Sequence, residues 1–178
     1  MSSMTRPLSC ALLLIAQGAA HAGTCQEPGL NEVANEHVAC RFFTGTRLFR
    51  EGDHLGARLN WEYVLASDDR GDDVEKLRTD ARNNLGYLLY MGLGTKPNRA
   101  KALQLWEAAA RDGQEESSYH LCHAYGDAKQ PEYQPQVALR YCREALARYD
   151  KLPIAERDRA TEAIVRDIQK YIAGLSGA

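Results

Sequence analysis

The sequence predicts a single all-α domain, a right-handed α-solenoid of about three helical hairpins closed by a C-terminal capping helix. Three observations point there. Apolar residues recur at the three-and-four spacing of amphipathic helices. One stretch, Ala81 to Gly113, reads as two such helices around a glycine-rich turn. That stretch returns in weaker form 36 residues later, and self-similarity at such a period marks repeat architectures.

In the first half of this stretch, Ala81, Leu85 and Leu88/Leu89 fall at i, i+4 and i+7/i+8 and build one apolar face. Gly92 and Gly94 stop the helix, because glycine takes the left-handed conformation after a helix end without steric cost. Asn98, just after the loop residue Pro97, is a good N-cap for the next helix. There Ala102, Leu105/Trp106 and Ala109 form the facing stripe, the small alanines allow close approach, and Gly113 ends the unit. Shifting by 36 carries Leu85 onto Leu121, Ala102 onto Ala138 and Ala109 onto Ala145. The same shift replaces Gly86 by Cys122 and Trp106 by Cys142. If the glycine marks a close approach of two helices and the tryptophan fills the space beside it, a disulfide between the replacements staples the same junction.

An earlier unit shows in Trp61-Glu62, which repeats Trp106-Glu107 at an offset of 45, with Gly52-Asp53 as its turn. The larger offset leaves room for a charged surface loop from Ser67 to Asp73. After Pro153, Ala160, Ile164, Ile168 and Ile172 recur every fourth residue, as in an amphipathic helix that covers the open end of a stack. The expected hairpins span about 30–67, 74–113 and 115–149, and the capping helix about 154–174.

The chain opens with Arg6, an apolar run from Leu8 to Ala16, and Ala20-His21-Ala22 before Gly23. A basic start, a short apolar core and small residues at −3 and −1 form a secretory signal peptide over 1–22, leaving 23–178 as one domain. The apolar run is well short of the ~20 residues that span a bilayer, and no later segment is long and apolar enough either. Ala22-Gly23-Thr24-Cys25 is a poor match to a lipid-attachment site. Removing Arg6 with the signal moves the formal charge from −2 to −3, which gives no electrostatic case for nucleic acid. Of the five cysteines, Cys25, Cys40, Cys122 and Cys142 stay, and in an exported chain an even set is read as disulfides. Four cysteines allow three pairings; the spacing and the repeat register favour Cys25 with Cys40 and Cys122 with Cys142.

The series Leu85-Gly86, Gly92-Leu-Gly94, Asn98, Lys101-Ala102, Trp106, Ala109-Ala110 and Gly113 resembles a Sel-1-like repeat, a subclass of tetratricopeptide-type solenoids. The likeness is full over Ala81 to Gly113 and partial over 117–147. Gly45, Leu48, Ala57, Trp61 and Val64 follow the plainer tetratricopeptide pattern. Departures are Leu89 where a tyrosine is usual, with Tyr90 one place late, Asn98 in place of Asp, and no Gly-x-Gly turn in the second copy, which has Lys129 to Pro135 there. The resemblance implies a superhelical stack that binds a protein or peptide. It implies, for an exported bacterial member, an adaptor of an envelope complex or an immunity protein that neutralises a phospholipase-like effector delivered by type VI secretion. A cysteine-rich branch with β-lactam-directed activity supplies an alternative.

Motifs for chemistry are missing. No His-Glu-x-x-His, no Gly-Lys-Ser/Thr phosphate loop, no Gly-x-Ser-x-Gly elbow and no Ser-x-x-Lys occurs, so neither a catalytic residue nor a cofactor is expected. Gly92-Leu-Gly94-Thr-Lys96 looks superficially like a phosphate loop, but the helix stop explains both glycines. His120, Cys122 and His123 could hold a soft metal, giving a periplasmic metal-binding protein as a further alternative; export favours an oxidised Cys122 and no metal. Trp61 and Trp106 read as core, whereas Tyr90, outside the stripe near a helix end, is the expected partner-binding anchor. Asp68, Asp69, Asp72 and Asp73, with Glu75, read as a solvated loop that could steer a basic partner. N-terminal sequencing of the exported protein should begin at Gly23; a start at Met1 would remove the export reading.

Overall fold

The computed structural model describes residues 37–70, 72–153 and 158–176, and among them every regular element is an α-helix. They are α1 (Val38–Glu51), α2 (His54–Ala66), α3 (Asp72–Met91), α4 (Arg99–Arg111), α5 (Glu115–Gly126), α6 (Pro135–Tyr149) and α7 (Arg159–Ser176). The closest packing is within the hairpins α1/α2, α3/α4 and α5/α6; each hairpin then leans on the next, and α7 lies against α6 and α5. This neighbour-on-neighbour order is the all-helical solenoid that the repeat implied.

Each helix starts and stops where its sequence tells it to. Asn98 caps α4 by accepting the Lys101 N–H at 3.1 Å, and Asp53 caps α2 through the Gly56 N–H at 2.8 Å. Gln114 and Asp158 do the same for α5 and α7. At the other end of α3, Gly92 has φ 72° and the Leu93 N–H reaches back to the Leu88 carbonyl at 2.9 Å, closing a Schellman turn. Gly94, at φ 65°, rests on the backbone of the preceding hairpin: a Cβ there would lie 2.6 Å from Leu55 N. The Asn98 N–H then ties the turn to the Leu89 carbonyl at 2.8 Å. The third hairpin has no such glycines, yet its Gln134 N–H bonds the Tyr125 carbonyl at 2.8 Å, the same tie shifted by 36 residues. Its loop is built around Asp127, which accepts from the Lys129 N–H and the Gln130 amide.

The three hairpins share one junction. A Cβ on Gly45 would sit 2.9 Å from Trp61 Nε1, and one on Gly86 would sit 2.6 Å from Trp106 Nε1, so the Nε1 and Cδ1 atoms of each indole abut bare backbone of the opposing helix. In the third hairpin Cys122 and Cys142 take these two places and are bonded, S–S 2.06 Å with Cα atoms 4.7 Å apart. The Trp106 indole donates to the Asn83 carbonyl at 3.0 Å. Its counterpart carbonyl in the first hairpin, Phe42, accepts from the Thr46 hydroxyl instead, and the buried Trp61 N–H is left without a partner.

The core divides in two around these indoles. Val38, Phe42, Ala57, Val64, Val74, Ala81 and Leu88 surround Trp61, whereas a larger cluster runs from Trp106 through the disulfide to Val165 and Ile168 of α7. Leu85 and Leu121, like Ala102, Ala138, Ala109 and Ala145, are buried as the shared register requires. One boundary differs from expectation. The helix α3 starts at Asp72, inside the run read as a loop, because acidic side chains favour the positive end of a helix dipole. The expected starts of the first hairpin, about residue 30, and of the capping helix, about residue 154, lie outside the described residues.

Gly86→Ala should destabilise the fold by about 1–2 kcal/mol in urea titration, since overpacking against Trp106 outweighs the helix propensity gained. Gly174→Ala, at a helical glycine with nothing within 4 Å, should go the other way. Equal effects at both sites would remove the steric role assigned to Gly86.

Candidate functional site

The first helices of the three hairpins line one shallow crevice, about 10 Å³ in volume. Phe49 comes from α1, Asn83, Asn84 and Tyr87 from α3, and Glu116 and His120 from α5, with Trp61 of α2 behind them. Their rings form a ladder across the repeats: Phe49 to Tyr87 at 6.1 Å, Tyr87 to His120 at 5.7 Å, and His120 stacked on Trp106 at 4.7 Å. Tyr87 and Asn84 are half-buried and offer polar groups at the rim.

Asn83 holds the cleft together. Its amide donates to Glu116 Oε2 at 2.9 Å, its side-chain oxygen accepts from Ser117 Oγ at 2.8 Å, and its main-chain carbonyl takes the Trp106 N–H. One buried residue thereby fixes α3, α4 and α5 to one another, and a fully satisfied buried polar network of this kind favours a single arrangement. The repeat comparison did not find it. The only trace in the sequence is a polar residue two places after Ala81, on the edge of an apolar face.

The expected partner-binding residues are dispersed. Tyr90 is half-buried, its ring 5.1 Å from that of Trp106 and under the Arg99 guanidinium, and burial pushes its hydroxyl pKa up. Its ring packs against α4 of its own hairpin and stays partly exposed. Asp68 and Asp69 are exposed in the loop between α2 and α3, Asp73 is exposed in the first turn of α3, and Asp72 begins that helix. Asp68, Asp69 and Asp73 do not line the cleft. The loop is held from beneath by Arg78, only 4 % exposed, which donates to the carbonyls of Ser67 and Asp69 and to Glu75. Trp61 and Trp106 are core, as read from their spacing.

His120, Cys122 and His123 do not converge on a metal. Cys122 is in the disulfide, His120 faces the cleft, and His123 turns to α7, where its Nε2 lies 2.8 Å from Asp167 Oδ2 and its ring sits between Tyr119 and Tyr171. Among the described residues no group of three or more His, Cys, Asp or Glu is placed to hold a metal ion. Gly92 and Gly94 serve the turn described above. Cys40 is buried near the start of α1, and its expected partner Cys25 lies outside the described residues. No described helix is long and apolar enough to cross a membrane.

Burial pushes the His120 pKa down to about 3, aided by nearby His123, whose own pKa is lowered by burial against the opposing pull of Asp167. Above the unfolded-state value near 6.5 both states are neutral and pH has no effect through these groups. Below it the unfolded chain takes up protons that the folded one refuses, so stability falls with falling pH, by about 1.4 kcal/mol per pH unit for His120 alone. Urea titrations between pH 7.5 and 4.5 should show this slope, and His120→Gln should flatten it; an unchanged slope in that variant would contradict the burial argument.

Residues 79–114 match the family model of the Sel1 repeat, covering α4 and most of α3. Neither the curated proteins nor the solved structures contain a significant match to the chain.

Proposed function

From a chain that carries a Sel1 repeat over residues 79–114, we propose a non-enzymatic protein-protein interaction module that works in the periplasm. The observation that carries this is the shallow crevice that Phe49, Asn84, Tyr87, Glu116 and His120 line with residues from all three hairpins. It is a shallow surface rather than a pocket, and its rings with Asn84 and Tyr87 at the rim suit contact with a protein surface, where a side chain can lie on the rings and polar groups meet the amide and hydroxyl. A surface fixed by Asn83 and by a covalent staple loses little entropy on binding, which favours a tight partner.

Export is supported by the signal-like first 22 residues and by the bonded Cys122–Cys142 pair, a bond that persists in oxidising compartments. Within that setting the module is an immunity protein that neutralises an envelope-targeting, phospholipase-like effector, or an adaptor of an envelope complex. The rigid, stapled stack favours the inhibitor. The β-lactam-directed hydrolase has no nucleophile motif in its favour, and the metal-binding alternative loses its thiolate to the disulfide.

Capture from periplasmic extract on immobilised protein, read by mass spectrometry, tests the module. One partner should be recovered, and Asn84→Arg should reduce its recovery at least tenfold while helical content and thermal midpoint stay unchanged. Equal recovery by both proteins would displace the cleft as the binding face. For the immunity version, a deletion strain should become sensitive to its siblings in contact competition; a resistant strain leaves the adaptor.

A further inference from the structure

The second helices of the last two hairpins, α4 and α6, do not pack closely on one another, and a groove of about 330 Å³ lies between them. Glu107 and Arg111 of α4 and Arg140 and Glu144 of α6 line it, over a floor of Ala110 and the buried Tyr141. It shares no residue with the crevice of the first helices. Taking Trp106 and Cys142 as equivalent, Arg140 comes level with Gln104, and Glu144 with Ala108. The charges along the groove therefore run Arg140, Glu107, Glu144, Arg111, with two carboxylates in the middle and a guanidinium at each end.

These groups keep unused bonding capacity. Among the described residues neither Arg111 nor Arg140 forms an ion pair, and Arg140 instead lies over the Tyr141 ring, 4.6 Å from its centroid. A guanidinium resting on a ring face keeps its edge N–H groups for a ligand. Glu107 Oε1 accepts from the Tyr125 hydroxyl at 2.8 Å, and Glu144 Oε1 from Arg148 at 2.7 Å and the Ser118 hydroxyl at 3.2 Å. Burial first, and Glu107 second, push the Tyr125 pKa up, so its hydroxyl stays a donor. Both carboxylates are thus held in place, and among the described residues no donor meets the second oxygen of either.

We propose that this groove binds a free α-amino acid, with its ammonium between Glu107 and Glu144 and its carboxylate on Arg140. The order of charges selects this class. A simple anion would meet the two central carboxylates and a simple cation the flanking guanidiniums, whereas a zwitterion is attracted by both. One carbon separates the two charges of an α-amino acid. In the shared register Arg140 stands three or four residues from the glutamates, about 5–6 Å of helix rise, which its long side chain spans. Tyr141 holds that guanidinium beforehand, so little freedom is lost on binding. The volume lies at the lower end of small-molecule sites and leaves room for the side chain of the amino acid.

L-Leucine titrated into the disulfide-bonded protein should shift the amide NMR signals of α4 and α6 and saturate, with a Kd of about 1 mM or below. N-acetyl-L-leucine lacks the ammonium and L-leucinamide lacks the carboxylate, yet both carry the same side chain; each should bind at least tenfold more weakly. Arg140→Gln should weaken L-leucine at least tenfold with an unchanged thermal midpoint. Glu107→Gln, which still offers Tyr125 an acceptor, should reduce the preference for L-leucine over N-acetyl-L-leucine. The proposal is overturned if L-leucine does not saturate by about 20 mM. A blocked form that binds as tightly as L-leucine also overturns it, because a single charge or the side chain alone is then recognised. So do shifts centred on α1, α3 and α5, which place the compound in the crevice. Each result is independent of whether the crevice captures a protein partner.

Discussion

The closest approach of the two helices within each hairpin governs the rest of the structure. In two hairpins it is an indole laid on a glycine, and in the third a disulfide replaces both residues. A helix pair this tight needs a position with no side chain on one partner and a filler on the other, so the small-residue stripes of Ala57, Ala102, Ala109, Ala138 and Ala145 follow from the same requirement. The filler also sets how hairpins stack, because Trp106 reaches beyond its own hairpin to lie against His120 of the next. Local packing and repeat-to-repeat geometry thus share one residue.

Much of the fold was legible because these constraints act at fixed intervals. The glycine stop at Gly92, the Asn98 cap and the alanine stripe are local, and each survives in the structure in the role its chemistry suggested. The substitution of Gly86 and Trp106 by Cys122 and Cys142 was legible because a register of 36 residues aligned them. The start of α3 was misread since an Asp-rich run has two physical uses, solvation of a loop and neutralisation of a helix N-terminus, and only the second applies from Asp72 onward.

The cleft was harder to read for a reason that is equally physical. Phe49 lies four places after its hairpin's close-contact glycine, Tyr87 one place after, and His120 two places before the corresponding cysteine. Their rings meet in space without sharing a register, so a search for repetition passes over them. Asn83 escaped for the opposite reason, since a single polar residue at the edge of an apolar face has no pattern to belong to. Tyr90 was judged by its distance from the apolar stripe of its own helix, but the space it fills belongs to Trp106 and Arg99.

The change from indole to disulfide along the stack gives the molecule a mechanical polarity. The junction within the first hairpin is an indole whose N–H has no partner, that within the second an indole with its hydrogen bond made, and that within the third a covalent bond roofed by α7. The tie across the junction therefore strengthens from the first hairpin to the third. Parting α1 from α2 breaks no covalent bond between them, whereas parting α5 from α6 requires reduction of the Cys122–Cys142 bond.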